Sequence, residues 1–199
     1  HGLNTEPHFI IVKLRVTAGN GYDQDWQVYH KDLGNTKGLK LNTTAGTETS
    51  SSIWNNTSPT SSVFSIGASS RYDGNFVAYC FAPIDGYSKF GSYEGGGSNN
   101  FIYTGFRPAF VLIKEADSAN QWFIYDDTRD PSNDVDAEIL WANSSNSEST
   151  IGPGDNSTQA ALDLLSNGFR ITSSFSGINR SSSTFIYVCF ASHPFKTAR

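Results

Sequence analysis

The acidic segment Tyr125–Glu138 holds the densest group of side chains that could do chemistry. Because side chains alternate along an extended strand, Asp134, Asp136 and Glu138 share one face there. Calcium prefers such hard oxygen ligands and would relieve the repulsion between the three carboxylates, so one interpretation is a calcium site. The other is a solvated acidic turn in which Arg129 pairs with a neighbouring carboxylate. No cofactor other than calcium is predicted.

The sequence shows no catalytic constellation. The histidines are scattered, at positions 1, 8, 30 and 193, and no serine or cysteine stands in a nucleophile-elbow sequence. The three consecutive glycines at 95–97 are not followed by Lys-Ser or Lys-Thr, so they do not form a phosphate loop. A glycosidase would need a second acidic cluster facing the first, and none is visible. We therefore expect a protein without enzymatic activity.

Carbohydrate could be bound or carried at several positions. Trp54 lies in the polar segment Ser50–Pro59, where an exposed ring beside Asn55 could contact a glycan. The alternative is that Ile53 and Trp54 anchor this loop on a sheet, which is the usual role of isolated apolar residues in loops. N-glycosylation sequons begin at Asn42, Asn55, Asn56, Asn143, Asn156 and Asn179.

These candidates are carried by a unit that the sequence contains twice. The matched segments keep their order along the chain: Phe9–Val12 with Phe110–Ile113, Trp26–Tyr29 with Trp122–Tyr125, Leu39–Thr44 with Leu140–Ser145, Val63–Ile66 with Gly168–Ile171, and Phe76–Ala82 with Phe185–Ala191. Each copy reads as five short strands between polar, Gly-rich segments. The pattern predicts an all-β protein of two tandem homologous β-sandwich units, immunoglobulin-like or jelly-roll-like, with short helical embellishments. We place the first repeat at 1–92, a lead-in strand or linker at 93–104 and the second repeat at 105–199.

Details within the repeats lead to further expectations. Both faces of Phe76–Ala82 are apolar, which predicts a central strand, and Cys80 and Cys189 are expected to be buried free thiols at equivalent positions. One or two helical turns are predicted for Thr158–Leu165. Strands at Tyr87–Tyr93 and Phe101–Tyr103 lead into the second repeat, and nothing comparable precedes the first. Either the first repeat has an open sheet edge, or its lead-in strand belongs to a longer polypeptide.

Composition excludes several classes of protein. The 199 residues are 37 % hydrophobic and 17 % charged, with a formal net charge of −5. Nucleic-acid binding needs a stripe of basic residues, and the Lys and Arg residues here are scattered, so nucleic acid is not an expected partner. No apolar run approaches the length needed to span a bilayer. We expect a soluble β protein.

Several segments also carry a family resemblance: His1–Leu3, Tyr87–Tyr93, Gly105–Lys114, Trp122–Tyr125, Thr128–Asp130, Leu165–Phe169, Ile186–Ala191 and His193–Lys196. They resemble an uncharacterised tandem β domain found in large structural proteins of tailed bacteriophages, of the tail-fibre or appendage type. The resemblance covers nearly the whole chain. It implies a virion or appendage protein and supplies no catalytic residues.

The expected function is that of a non-catalytic structural protein of a virion surface appendage, which assembles through β-domain contacts and attaches to host-surface glycans. One alternative is a subunit of a self-assembling, pilus-like extracellular filament that uses strand donation. A carbohydrate-binding module is a weaker alternative. The expected partners are copies of the chain itself, other virion proteins and cell-surface carbohydrate, and the expected location is the virion surface or the cell exterior.

Overall fold

The computed structural model describes residues 1–17, 25–68, 74–97, 99–133, 137–151 and 162–193. The first repeat contains β1 (Phe9–Thr17), β2 (Gln27–His30), a 3-10 helix (Lys31–Leu33), β3 (Lys37–Lys40), β4 (Glu48–Thr49), α1 (Ser51–Trp54) and β5 (Gly74–Phe81). There follow β6 (Ser88–Glu94), β7 (Asn100–Tyr103), β8 (Pro108–Glu115), β9 (Trp122–Asp126), β10 (Ala137–Trp141), β11 (Ser149–Ile151), β12 (Leu162–Leu165), β13 (Gly168–Ile171), α2 (Ser176–Asn179) and β14 (Thr184–Ala191). The all-β class is confirmed. Within the described ranges, no helix has the length and apolar character that a membrane crossing requires.

The two repeats build large sheets with the same strand order. The first sheet runs β4-β3-β2-β1-β5, and the second runs β11-β10-β9-β8-β14 and continues into β6. Residue registers agree as well, because Cys80 lies opposite Ile10 in the first sheet and Cys189 lies opposite Val111 in the second. Both cysteines are free thiols, as predicted, but only Cys189 is buried, and Cys80 is half-buried. The sheet strands of the two copies therefore pair in the same register. The match of Val63–Ile66 with Gly168–Ile171 is not confirmed, because Gly168–Ile171 forms β13 and Val63–Ile66 forms no strand.

The two large sheets pack against each other face to face. Their shared core contains eight buried side chains, which are Phe9, Val28, Leu39, Phe90, Leu112, Trp122, Ile186 and Val188. The Phe9 and Phe90 rings stack with centroids 6.1 Å apart, and the indole N–H of Trp122 donates to the Lys40 carbonyl at 2.9 Å. Two separate sandwich units are therefore not confirmed, since each repeat contributes one sheet to a common interface.

Other elements cover the outer faces of both sheets. Helix α1 packs against the first sheet through Ile53 and Trp54. A third sheet of order β12-β13-β7 packs against the second. The helical prediction for Thr158–Leu165 is wrong for Leu162–Leu165, which forms β12; the other four residues lie outside the described ranges. Leu162 and Leu164 both point into the core, and this alternation fits a strand.

The lead-in segments form strands, as predicted. β6 pairs with β14 and β7 pairs with β13, so both belong to sheets of the second repeat. The boundary predicted between residues 92 and 93 consequently falls inside β6. β14 is a central strand between β8 and β6, whereas β5 lies at the edge of its sheet. The prediction of a central strand at Phe76–Ala82 is therefore wrong, because among the described residues no strand covers the outer side of β5.

Candidate functional site

In the acidic segment, Arg129 pairs with neighbouring carboxylates, as the interpretation of a solvated acidic turn expects. Its guanidinium pairs with the Asp126 carboxylate, and its Nε lies 2.7 Å from Glu148 Oε2. Of the three proposed calcium ligands, Glu138 is half-buried in β10, and Asp134 and Asp136 lie outside the described ranges. In the part of the chain that the structure describes, no three His, Cys, Asp or Glu side chains are grouped so that they could hold a metal ion. The calcium site stays a prediction.

Trp54 does not offer its ring to a glycan, so this proposed contact is wrong. Its side chain is 1 % exposed, and its indole N–H donates to the Lys37 carbonyl at 3.0 Å. The ring meets Tyr29 edge to face at 5.6 Å, and Ile53 beside it is fully buried. These residues anchor the loop on the outer face of the first sheet, as the alternative interpretation held. Asn55 is exposed and follows α1 with a left-handed backbone, φ 53°.

Two of the sequon asparagines have the same structural role in the two repeats. Asn42 Oδ1 accepts the backbone N–H of Trp26 at 2.9 Å, and Asn143 Oδ1 accepts that of Trp122 at 2.8 Å. In both repeats the asparagine Nδ2 donates to the side chain of the residue before that tryptophan. The asparagine thus fixes the chain where β2 and β9 begin, which explains its occurrence in both copies without glycosylation.

The other sequons differ in their accessibility. Asn179 is fully buried: its Nδ2 donates to the Ser173 carbonyl at 2.8 Å, and its Oδ1 accepts the Gly96 N–H at 2.9 Å. Asn179 is therefore wrong as a glycan acceptor in the folded chain. Asn55 and Asn56 are exposed, and Asn156 lies outside the described residues.

The buried ionisable groups of β8 have partners within the fold. Lys114 is fully buried, and its Nζ donates to the carbonyls of Glu115 at 2.7 Å and Ser118 at 3.3 Å. Desolvation lowers the pKa of Lys114 to about 8, while the neighbouring carboxylate of Glu115 opposes the shift. That buried carboxylate accepts from Asn120 Nδ2 at 3.0 Å and lies 3.1 Å from Arg180 Nε. This network ties the end of β8 to the segments beside it.

A second buried group, His30, connects the two large sheets. Its Nδ1 accepts the Asp32 backbone N–H at 3.2 Å, so the proton lies on Nε2, which donates to the Tyr187 carbonyl at 3.3 Å. Desolvation lowers the pKa of His30 to about 4. The side chain is therefore a neutral structural link at neutral pH. Sequence reasoning treated His30 only as one of four scattered histidines.

The clearest candidate site is the outer edge of β5. Register makes Phe76 equivalent to Phe185 and Tyr79 equivalent to Val188. Phe185 and Val188 in β14 are 0 % and 3 % exposed, but Phe76 and Tyr79 in β5 are 38 % and 46 % exposed. The two strands have similar sequences and different surroundings. Apolar residues that are buried in one repeat therefore lie at an accessible sheet edge in the other.

The second repeat shows how such an edge is covered. β6 runs antiparallel to β14, with Tyr93 opposite Phe185 and Gly91 opposite Tyr187. The Tyr93 and Phe185 rings stack at 5.1 Å with planes only 9° apart. Tyr93 Oη also donates to the Ile178 carbonyl at 2.6 Å. One added strand thus buries both the backbone edge and its aromatic side chains.

A comparison with known families covers both repeats and their lead-in strands. Residues 1–194 match the family described as Domain of unknown function (DUF7483). The chain belongs to this family. No curated protein and no solved structure matches the chain. The family match spans β1 to β14, so the open edge lies inside the DUF7483 domain.

A polar cleft of about 360 Å³ also opens on this DUF7483 domain, beside the start of β6. Its lining includes Asp85, Lys89, Tyr103 and Thr104. Tyr103 is 59 % exposed, and Lys89 Nζ lies 3.0 Å from its carbonyl oxygen and 5.2 Å from its ring centroid. In the sequence, the only sign of this cleft is the aromatic residue Tyr103 at the end of the second lead-in strand, and alternating aromatic residues predict a strand rather than a binding site.

Proposed function

We propose that this chain is a non-catalytic structural module that assembles by accepting a β strand from another polypeptide chain at the edge of β5. The observation that carries the proposal is the difference between two equivalent strands, since β6 covers β14 and no strand within the described ranges covers β5. Unpaired backbone groups at a sheet edge are a template for a further strand. Covering Phe76 and Tyr79 would add apolar burial to the backbone hydrogen bonds.

The proposed setting is a tail-fibre-like appendage on a virion surface, where the partners are copies of this chain or other virion proteins. The resemblance to structural proteins of tailed bacteriophages supports this setting. The alternative setting is a pilus-like extracellular filament, which would use the same edge for strand donation. An open helical filament needs a heterologous contact between subunits, and the edge of β5 has the form of one half of such a contact.

The test is hydrogen exchange on the chain in two states, isolated and within the assemblies of its native source. We expect backbone amides of β5 to exchange at least about tenfold more slowly in the assembly, and those of β14 to be equally protected in both states. Electron microscopy of the same material assigns the setting, because capsids or tails indicate a virion and a continuous helical fibre indicates a filament. Fast exchange of β5 in both states would overturn the proposal.

Two matched variants locate the contact. Tyr79→Lys places a charge on the edge strand and should prevent incorporation into assemblies. Val63→Lys changes a side chain that is 60 % exposed and lies outside β5, so it should incorporate like the unaltered chain. Equal incorporation of both variants would contradict an interface at β5.

Carbohydrate binding is a second candidate function, favoured by the cleft beside β6. There the Lys89 ammonium lies 5.2 Å from the centroid of the exposed Tyr103 ring, and Asp85 also lines the cleft. Sugar-binding sites combine an aromatic face with polar groups in this way. A glycan array, with and without calcium, tests this function. Binding that is lost in Tyr103→Ala would support it, and silence of the array under both conditions would remove it.

A further inference from the structure

At one position in the pairing of β6 with β14, a glycine on β6 leaves room for a large side chain on β14. Gly91 lies directly opposite Tyr187, and a Cβ built on Gly91 would lie 2.5 Å from Tyr187 Oη and 2.7 Å from Cζ. The tyrosine ring therefore lies across the neighbouring strand at the place where a side chain of residue 91 would project. A larger residue at this position would collide with the ring unless the buried Tyr187 side chain moved.

The first repeat lacks the large member of this pair. Tyr187 is paired with Ile113 in β8, and the equivalent pair in the first sheet is Ala78 with Val12 in β1. Ala78 is half-buried and its methyl group is too short to cross to a neighbouring strand. A strand added to β5 in the register of β6 is therefore free to carry a side chain opposite Ala78.

A second position on the same face has kept its aromatic character. Phe76 corresponds to Phe185, which stacks on Tyr93 in the second repeat. The ring of Phe76 is 38 % exposed, and nothing in the described part of the chain takes the place of Tyr93 beside it. An aromatic residue opposite Phe76 would restore the stacked pair, and such pairs stabilise by about 0.5–1.5 kcal/mol beyond the area that they bury.

Resting on the proposed function, we propose that the strand accepted by β5 has a side chain opposite Ala78 and an aromatic residue two positions later, opposite Phe76. Its source is another polypeptide whose strand differs from β6 at the position of Gly91. β6 of a second copy is not the matching donor, because its glycine would leave the surface of Ala78 uncovered. Residue 78 thus determines which strand the edge selects.

The test measures binding of synthetic peptides to the full chain by fluorescence anisotropy. The first peptide has the sequence of residues 87–95, and the second carries Gly91→Val. We expect the second to bind about tenfold more tightly, since burial of a valine side chain provides about 1.5 kcal/mol or more. A third peptide with Tyr93→Ala should bind more weakly than the first. Hydrogen exchange of the complexes should show protection of β5 amides.

A variant of the chain separates the size match from the higher strand propensity of valine. Ala78→Tyr should reverse the preference, so that the peptide with Gly91 binds more tightly than its Gly91→Val form. If Ala78→Tyr does not fold, Ala78→Leu is the smaller step and should reduce the preference. Binding without such a change, or failure of all peptides to protect β5, would overturn the inference. The proposed function would be overturned only if β5 also exchanged fast in the native assemblies.

Discussion

Acidification is expected to destabilise the chain through one residue, His30. The ring is fully buried between the two large sheets, where Nε2–H donates to the Tyr187 carbonyl at 3.3 Å and Nδ1 accepts the Asp32 N–H. Desolvation is the largest cause of its lowered pKa, from 6.5 to about 4, and the nearby Asp32 carboxylate opposes the shift. Protonation would place a charge in the core and remove the acceptor for the Asp32 N–H.

The sign and size of the effect follow from the two pKa values of His30. Between pH 6.5 and about 4 the unfolded chain binds a proton at this residue that the folded chain does not, so the free energy of unfolding falls as the pH falls through this window. One pKa unit corresponds to 1.36 kcal/mol, which gives a total loss of about 3 kcal/mol, of which about 2 kcal/mol lies between pH 7 and pH 5. Above pH 6.5 the residue contributes almost no pH dependence.

The assay is urea unfolding, followed by tryptophan fluorescence at pH 7 and pH 5. His30→Gln keeps a neutral polar side chain without the titration, so its loss of stability between the two pH values should be smaller than that of the unaltered chain by about 2 kcal/mol. Any loss of packing caused by the substitution lowers the free energy of unfolding of His30→Gln equally at both pH values. It therefore cancels when the stability of each chain at pH 5 is subtracted from its stability at pH 7. His193→Gln changes an exposed histidine and should behave like the unaltered chain. Equal losses in His30→Gln and the unaltered chain would refute the reasoning.

Three further predictions concern single side chains. Trp54→Ala should lower the free energy of unfolding by about 3–5 kcal/mol in chemical denaturation, because it empties a buried site, and a loss below about 1 kcal/mol would contradict the anchoring role. Asn143→Ala should lower the free energy of unfolding by about 1 kcal/mol, because it removes the acceptor of the Trp122 N–H. Ser145→Ala abolishes the sequon but keeps this acceptor, so it should leave the stability unchanged. Equal losses in both variants would indicate a role for glycosylation. A thiol reagent, with labelling followed by mass spectrometry, should modify Cys80 before Cys189, because Cys189 is 0 % exposed and burial raises its pKa to about 12. Equal labelling rates of the two cysteines in the folded chain would contradict this prediction.

The repeat made much of the fold predictable from sequence. Matched pairs such as Tyr29 with Tyr125 and Cys80 with Cys189 were aligned by residue type, and the strand registers place them at equivalent positions. The lead-in strands were also predicted, because alternating aromatic residues around Gly-rich turns are a local signal. Leu162 and Leu164 show where local reasoning failed, since a short apolar run near a capping residue fits a helical turn as well as a strand.

The candidate site was less predictable, because exposure depends on neighbours far away in the chain. Trp54 lies in a polar loop, and only the packing of its ring against Tyr29 shows that it is a core residue. His30 has no local motif, and its buried environment comes from a carbonyl that is 157 residues later in the sequence. The calcium prediction at Asp134, Asp136 and Glu138 rests on the sequence alone.

The sequence by itself determined the all-β class, the duplication and the pairing of residues between the copies, because these depend on residue type and local periodicity. It could not distinguish β5 from β14, since both are apolar on two faces. Only the tertiary structure showed that β6 covers one of them and that the two sheets share one core. The physical reason is that a strand's burial is a property of the strands beside it, and a sheet edge exists only once the neighbours are in place.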